Sequence, residues 1–107
     1  MDFKEIADKA NEIEEELNLN IDDVLNKLTQ EAGEFNDAVQ KYRGRYCRNK
    51  TDSTENLEKE TGDVLINLIS VLNRLGINPN QLNKFTEQTL NKFKEVIEDY
   101  KKNTKWK

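Results

Sequence analysis

Glu60-Thr61-Gly62-Asp63-Val64-Leu65-Ile66-Asn67-Leu68-Ile69-Ser70-Val71-Leu72-Asn73-Arg74-Leu75-Gly76 is the stretch on which the fold turns. Its apolar residues do not alternate with polar ones as they would in a half-buried strand. They recur at helical spacing, and Val64, Leu65, Ile66, Leu68, Ile69, Val71, Leu72 and Leu75 cover most of a helix's circumference. Such a helix is buried on several sides. Asp52-Ser53-Thr54 offers capping side chains upstream, so this helix is expected to begin near Glu55 and to stop at Gly76. It carries more apolar surface than one neighbouring face can cover, which predicts a homo-oligomer, dimer or tetramer, associating through its helices.

The flanking sequence extends the pattern in both directions. A first helix is expected from about Asp2 to Leu17, with Phe3, Ile6, Ala10, Ile13 and Leu17 on one face. Asn18-Leu19-Asn20 breaks it, and Asn20 can cap a second helix whose first turn, Ile21-Asp22-Asp23, carries acids. Val24, Leu28, Phe35, Ala38 and Tyr42 form the stripe of that helix, which should stop near Gly44. Residues Arg45 to Thr54 make a polar connection. After Gly76, Asn78-Pro79-Asn80-Gln81 is a strong helix start, with Asn as cap, Pro in the first turn and Gln at the capping-box position. A fourth helix should run to about Tyr100 and leave a basic tail, Lys101 to Lys107. The fold class is therefore all-α: one four-helix bundle-like domain filling the 107 residues, with its motif-bearing core at about residues 21–100.

Composition narrows the chemistry. There is no histidine, which excludes Ser-His-Asp triads, imidazole bases and zinc sites with His ligands. A lone cysteine, Cys47, makes neither an intrachain disulfide nor a thiolate cage. Metal binding is left to oxygen, which suits Mg²⁺, Mn²⁺ or Ca²⁺. A net charge of −4 argues against general affinity for nucleic acid. No apolar run is long enough for a membrane span, and Met1-Asp2-Phe3-Lys4-Glu5 lacks a basic start, so a cytoplasmic location is expected.

Acids three residues apart are common here, and Asp2/Glu5, Glu12/Glu15 and Glu95/Glu98 read as solvated faces. The pairs Glu31/Glu34 and Glu60/Asp63 differ. Glu31 falls inside its helix's apolar stripe, among Leu28, Phe35 and Ala38, and Glu60 lies on the side shared by Leu57, Val64 and Val71. A carboxylate facing a core is costly unless neutralised. Glu34 and Asp63 lie one turn away on the margins. Both segments also read acid-x-Gly-acid, Glu31-Ala32-Gly33-Glu34 and Glu60-Thr61-Gly62-Asp63, and each accepts a mid-helix glycine worth about 1 kcal/mol of stability. The missing side chain would leave room beside the second acid. If the two helices pack antiparallel, four carboxylates converge and repel one another unless a divalent cation joins them. The plainer reading is two ordinary helices with acids at the edge of their packed faces.

Gln30-Glu31-Ala32-Gly33-Glu34 and, after a linker, Glu60-Thr61-Gly62-Asp63-Val64-Leu65 resemble the motifs of the MazG-type, all-alpha nucleoside triphosphate pyrophosphohydrolase superfamily: Glu-Glu-x-x-Glu, then Glu-x-x-Asp. The likeness continues through Leu75-Gly76-Ile77 and Lys92-Phe93, over about residues 25–95. It implies Mg²⁺, with Mn²⁺ as a substitute, held by Glu31, Glu34, Glu60 and Asp63. It also implies cleavage of a nucleotide's α–β linkage to the monophosphate and pyrophosphate. Glu34 could then take the proton of the attacking water, since no histidine is present.

The chain departs from the family pattern in several places. Gln30 replaces the first glutamate; Asn91 sits directly before Lys92 and so out of register; and Lys94, Glu95 and Val96 supply no equivalent of a following arginine. Asn67 stands where the phosphoribosyl-ATP branch commonly has histidine, which disfavours that substrate.

The basic run Lys41, Arg43, Arg45, Arg48 and Lys50 could hold a triphosphate or be a solvated loop, and Lys92, at the family's position, is a better phosphate ligand. Tyr42 reads as core, Tyr46 could stack on a base, Cys47 reads as incidental, and Trp106 is left without a role. The alternative to an enzyme is a non-catalytic helical module for dimerisation or partner binding.

Overall fold

Asp2 accepts a hydrogen bond from the Glu5 amide and starts α1 (Phe3–Glu16) in the computed structural model, which describes residues 1–45 and 54–104. Asn18, at a φ of 57°, turns the chain. Asn20 and Asp23 then form a reciprocal capping box that satisfies two otherwise orphaned amides and opens α2 (Ile21–Tyr42). α3 spans Thr54–Arg74, and Gly76 at a φ of 77° ends it. The Asn78 side chain accepts from the Asn80 amide, so Asn78-Pro79 begins with a 3₁₀ turn (Pro79–Gln81) before α4 (Leu82–Thr104). α4 runs past Tyr100, and Lys101 and Lys102 form part of its last turn, where cations favour the helix dipole. Among the described residues there is no strand, and the all-α class holds.

α3 is the central element. It packs on α2 along one side and on α1 along another, while the 3₁₀ turn touches α1, α3 and α4. α4 packs against none of α1, α2 or α3, and Leu90, Phe93, Val96 and Ile97 are half exposed along it. The radius of gyration is 18.0 Å, against about 13 Å for a compact chain of this length. The buried apolar set is small: Ala7, Ala10, Val24, Ala38, Ile69 and Val71. Part of the expected core is therefore surface in a single chain. Ile13, Leu17 and Tyr42 are exposed, as are Leu65, Ile66 and Leu75 of the helix that was to be buried on several sides. On α1 the inward stripe is Ala7-Ala10-Glu14, which keeps Ala10 of the expected face but is rotated by about 70° from Ile13 and Leu17.

The α1–α3 seam is polar. Glu14 receives the guanidinium of Arg74 (Nη2–O 2.7 Å) and the hydroxyl of the fully buried Ser70. Arg74 also donates to the Leu19 carbonyl at 2.8 Å, which ties the α1–α2 turn to α3. Asn73 bridges to Asp8 and Asn11.

Candidate metal centre

Glu31 lies two turns from both Val24 and Ala38, the buried residues of α2, so the stripe that buries those side chains also turns Glu31 inward. On α3, Glu60 and Asn67 share an inward stripe in the same way. Antiparallel packing brings these stripes level. Carboxylate oxygens of Glu31, Glu60 and Asp63 all lie within 4.8 Å of one another. Glu31 and Glu60 are each only 8% exposed, and Oε2 of each is buried without a hydrogen-bond partner. Buried polar atoms are almost always satisfied, so two orphans on adjacent carboxylates mark an incomplete site.

The electrostatics agree. Burial first, then a hydrogen bond with Glu34, then the charges of Glu34, Asp63 and Glu60 push the Glu31 carboxyl above its ordinary range. Glu34 is exposed and its Oε1 accepts from Gln30 Nε2 at 3.3 Å. It therefore touches the cluster through Glu31 at the solvent edge, while the three mutually close acids form the inner part. Lys59 reaches Asp63 at 3.4 Å and Glu60 at 3.6 Å from the rim, 68% exposed. Its hydrogen bond to Asp63 and the nearby acid charges raise its pKa, but an ammonium so exposed offsets little of the interior repulsion. Asn67 donates to the Asp63 carbonyl at 2.7 Å and braces that turn of α3.

An all-carboxylate donor set with two unsatisfied buried oxygens fits a hard divalent cation such as Mg²⁺ or Mn²⁺. The glycines act differently from expectation. A Cβ at Gly33 or Gly62 would meet nothing within 4 Å, so neither clears space for the facing helix. The open face beside both acids points away from the chain's own packing.

Of the expected phosphate ligands, Arg45 is exposed just beyond the end of α2. Arg48 and Lys50 lie outside the described residues, as do Tyr46, Cys47 and Trp106. Lys92 is exposed on α4, and since α4 does not touch α2 or α3, one chain does not bring Lys92 to the acids. Sequence reading passed over Lys27. It is one turn before Glu31, is exposed, and makes no ion pair or hydrogen bond among the described residues. Its spacing from Glu31 was the available signal. Glu14 was missed too, because Ile13 and Leu17 suggested a different inward face.

The family model for the MazG nucleotide pyrophosphohydrolase domain matches residues 20–101. The chain belongs to this family. No curated protein and no solved structure matches it. The MazG match begins at the cap of α2 and reaches into the last turns of α4, so it contains all four acids, Lys27 and Lys92, and leaves α1 outside. Among the described residues, no helix is long and apolar enough to cross a membrane.

Proposed function

We propose that this MazG domain hydrolyses nucleoside triphosphates, ribo- or deoxyribo-, standard or modified, to the monophosphate and pyrophosphate, with Mg²⁺ held by Glu31, Glu34, Glu60 and Asp63. The observation that carries the reading is the pair of orphaned buried oxygens on Glu31 and Glu60, whose carboxylates lie with that of Asp63 within 4.8 Å of one another across two helices. When bound, the cation would offset the acids' charge and the charge that develops on the phosphate oxygens. Glu31 and Glu60 are fixed by the apolar stripes they occupy, so they supply a rigid inner set of donors. Asp63, half-buried and braced by Asn67, completes it. Glu34 is the acid open to solvent, which suits it to accept the proton of the attacking water. In that step the water oxygen bonds to phosphorus, the bridging α–β P–O bond breaks, pyrophosphate leaves with the bond's electron pair, and the proton passes to Glu34.

We further propose that the working form is a homodimer or homotetramer and that it resides in the cytoplasm. The exposed apolar residues of α3 and α4 support association. Lys92 can serve the acids only from a second copy, because its own helix leaves them. The test is monophosphate and pyrophosphate release from a panel of nucleotides, with Mg²⁺ and with chelator, for the wild type and for Glu31→Gln and Glu60→Gln. Metal-dependent release lost in both variants is the expected result. No release from any nucleotide would point to a helical module that acts by association alone.

A further inference from the structure

The two carboxylate oxygens of Glu60 have opposite surroundings. Oε2 is buried without a partner, while Oε1 lies 3.6 Å from the Lys59 ammonium, which also reaches Oδ2 of Asp63 at 3.4 Å. Lys59 and Asp63 are one helical turn apart on α3, so their contact follows from spacing alone. Among the described residues, Lys59 is the one cation ion-paired with any of the four acids. Both contacts are long and the side chain is 68% exposed, so little holds the ammonium in place. A cation bound by the acids would coordinate the same Glu60 and Asp63 carboxylates, at about 2.1 Å for Mg²⁺. Two positive charges would then compete for two carboxylates.

We propose that Lys59 is a displaceable counter-ion: it pairs with Asp63 and Glu60 in the metal-free chain, and once a divalent cation takes those carboxylates it turns to the phosphate oxygens of the nucleotide. The inference rests on the reading that the acids bind the cation and, through it, the nucleotide. Charge gives the direction of the move. One dication leaves four carboxylates with an excess of negative charge, and a triphosphate brings more, so a cation at the rim favours binding. A hydrated ammonium on a flexible four-carbon stem can make this exchange without leaving water, and it meets phosphate as a point charge. Lys59 thus opposes the metal alone and favours the metal together with nucleotide. By linkage, each ligand strengthens the binding of the other, and part of that coupling resides in one side chain. The site loads more readily with the metal–nucleotide pair than with the metal by itself.

Mn²⁺ titration of the full chain, read by the electron paramagnetic resonance of free Mn²⁺, tests the proposal at low ionic strength, where an exposed charge acts most strongly. Lys59→Met exchanges residues of similar length and helix propensity. Without nucleotide, it should bind Mn²⁺ about fivefold more tightly than the wild type, the lower end of ordinary coupling between ligands. In saturating Mn²⁺ it should bind a triphosphate with a non-hydrolysable methylene α–β bridge about fivefold more weakly. Lys59→Arg should keep both affinities near the wild-type values. Lys9→Met removes the same charge from an exposed position on a helix that carries none of the four acids, and should move neither. Opposite signs in the two Lys59→Met titrations are the expected result. Tighter Mn²⁺ binding with unchanged nucleotide affinity would overturn the move to phosphate; no change in either would make Lys59 a solvated bystander; and equal shifts in Lys9→Met would reduce the effect to net charge. Each of these leaves the acid-site reading standing. Absence of Mn²⁺ binding in both the wild type and Lys59→Met would remove that reading, and this inference with it.

Discussion

Glu14 and Glu31 are buried alike, 9% and 8% exposed, on helices that both pack against α3. Their surroundings are opposite. Glu14 meets a guanidinium, a buried hydroxyl and the Asn11 amide. Glu31 meets three other carboxylates, keeps one oxygen without a partner, and makes no ion pair among the described residues. Burial of an acid alone therefore does not separate structure from function. A complete set of partners marks a carboxylate that holds helices together; an incomplete one marks a carboxylate that waits for something outside the chain.

Substitution on both sides of this contrast should break it if it is wrong. The largest effect is expected in activity: Glu31→Gln or Glu60→Gln should lower kcat/KM for nucleotide hydrolysis by about 10²- to 10³-fold, the scale of losing one preorganised charge contact. The apo fold should not suffer, since neutralising one acid relieves repulsion. A lower melting temperature in chelator for Glu31→Gln than for wild type would make Glu31 a structural acid like Glu14.

Arg74→Ala tests the other side. Removing one partner of a buried ion pair costs about 3–5 kcal/mol, and partial exposure of Arg74 brings the expectation to roughly 2 kcal/mol. Denaturant unfolding should show this loss, and kinetics well below the melting range should be nearly unchanged. A steep kcat loss with unaltered stability would place the α1–α3 seam in the active site.

Next in size is the response to metal and pH. Mg²⁺ in excess should raise the melting temperature, because it binds only the folded arrangement of the acids. Glu31's folded pKa is raised by burial and neighbouring acids. In chelator, the folded state thus holds more protons than the unfolded state between the ordinary glutamate value and the raised one. Stability from this group is greatest below that window and falls as pH rises through it. In Mg²⁺ the sign of the experiment reverses: as pH falls into the window, protons compete with the ion and the thermal shift shrinks. Melting curves across that range, with and without Mg²⁺, check both trends, and Glu31→Gln should flatten them. A chelator curve that rises through the window would contradict the arrangement.

Much of this was legible in the residues, unevenly. The four helices, the caps at Asn20 and Asn78 and the inward turn of Glu31 and Glu60 follow from local rules, in which a side chain's position is fixed by its own helix, while the cap candidates Asp52 and Ser53 lie outside the described residues. The course of α4 was not legible, because an amphipathic helix announces a face to be covered without saying whether the same chain or another covers it. Tyr42, Ile13 and Leu17 failed for that reason: periodicity puts each on an apolar stripe, yet only tertiary packing decides which part of a stripe is buried. Glu14 was hidden because its partners, Ser70 and Arg74, are some sixty residues away.

The smallest effect should come from the two glycines, and it sharpens the same contrast. The α1–α3 seam is closed, with Ser70 fully buried, whereas beside the acids a Cβ at Gly33 or Gly62 would meet open space. Both glycines lie inside helices, where alanine is favoured by about 1 kcal/mol. Gly33→Ala and Gly62→Ala should therefore each raise the apo melting temperature by about 4 °C, the scale for a domain of this size. If the open face receives a phosphate chain or a second copy, the same methyl group should lower nucleotide affinity or weaken association while it stabilises the chain. Thermal melts in chelator, Kd for a non-hydrolysable nucleotide, and sedimentation on the two variants measure the opposing trends together. Variants that are more stable and bind and associate as the wild type does would show that the space is merely empty. The paired acid-x-Gly-acid segments would then owe their likeness to the acids alone.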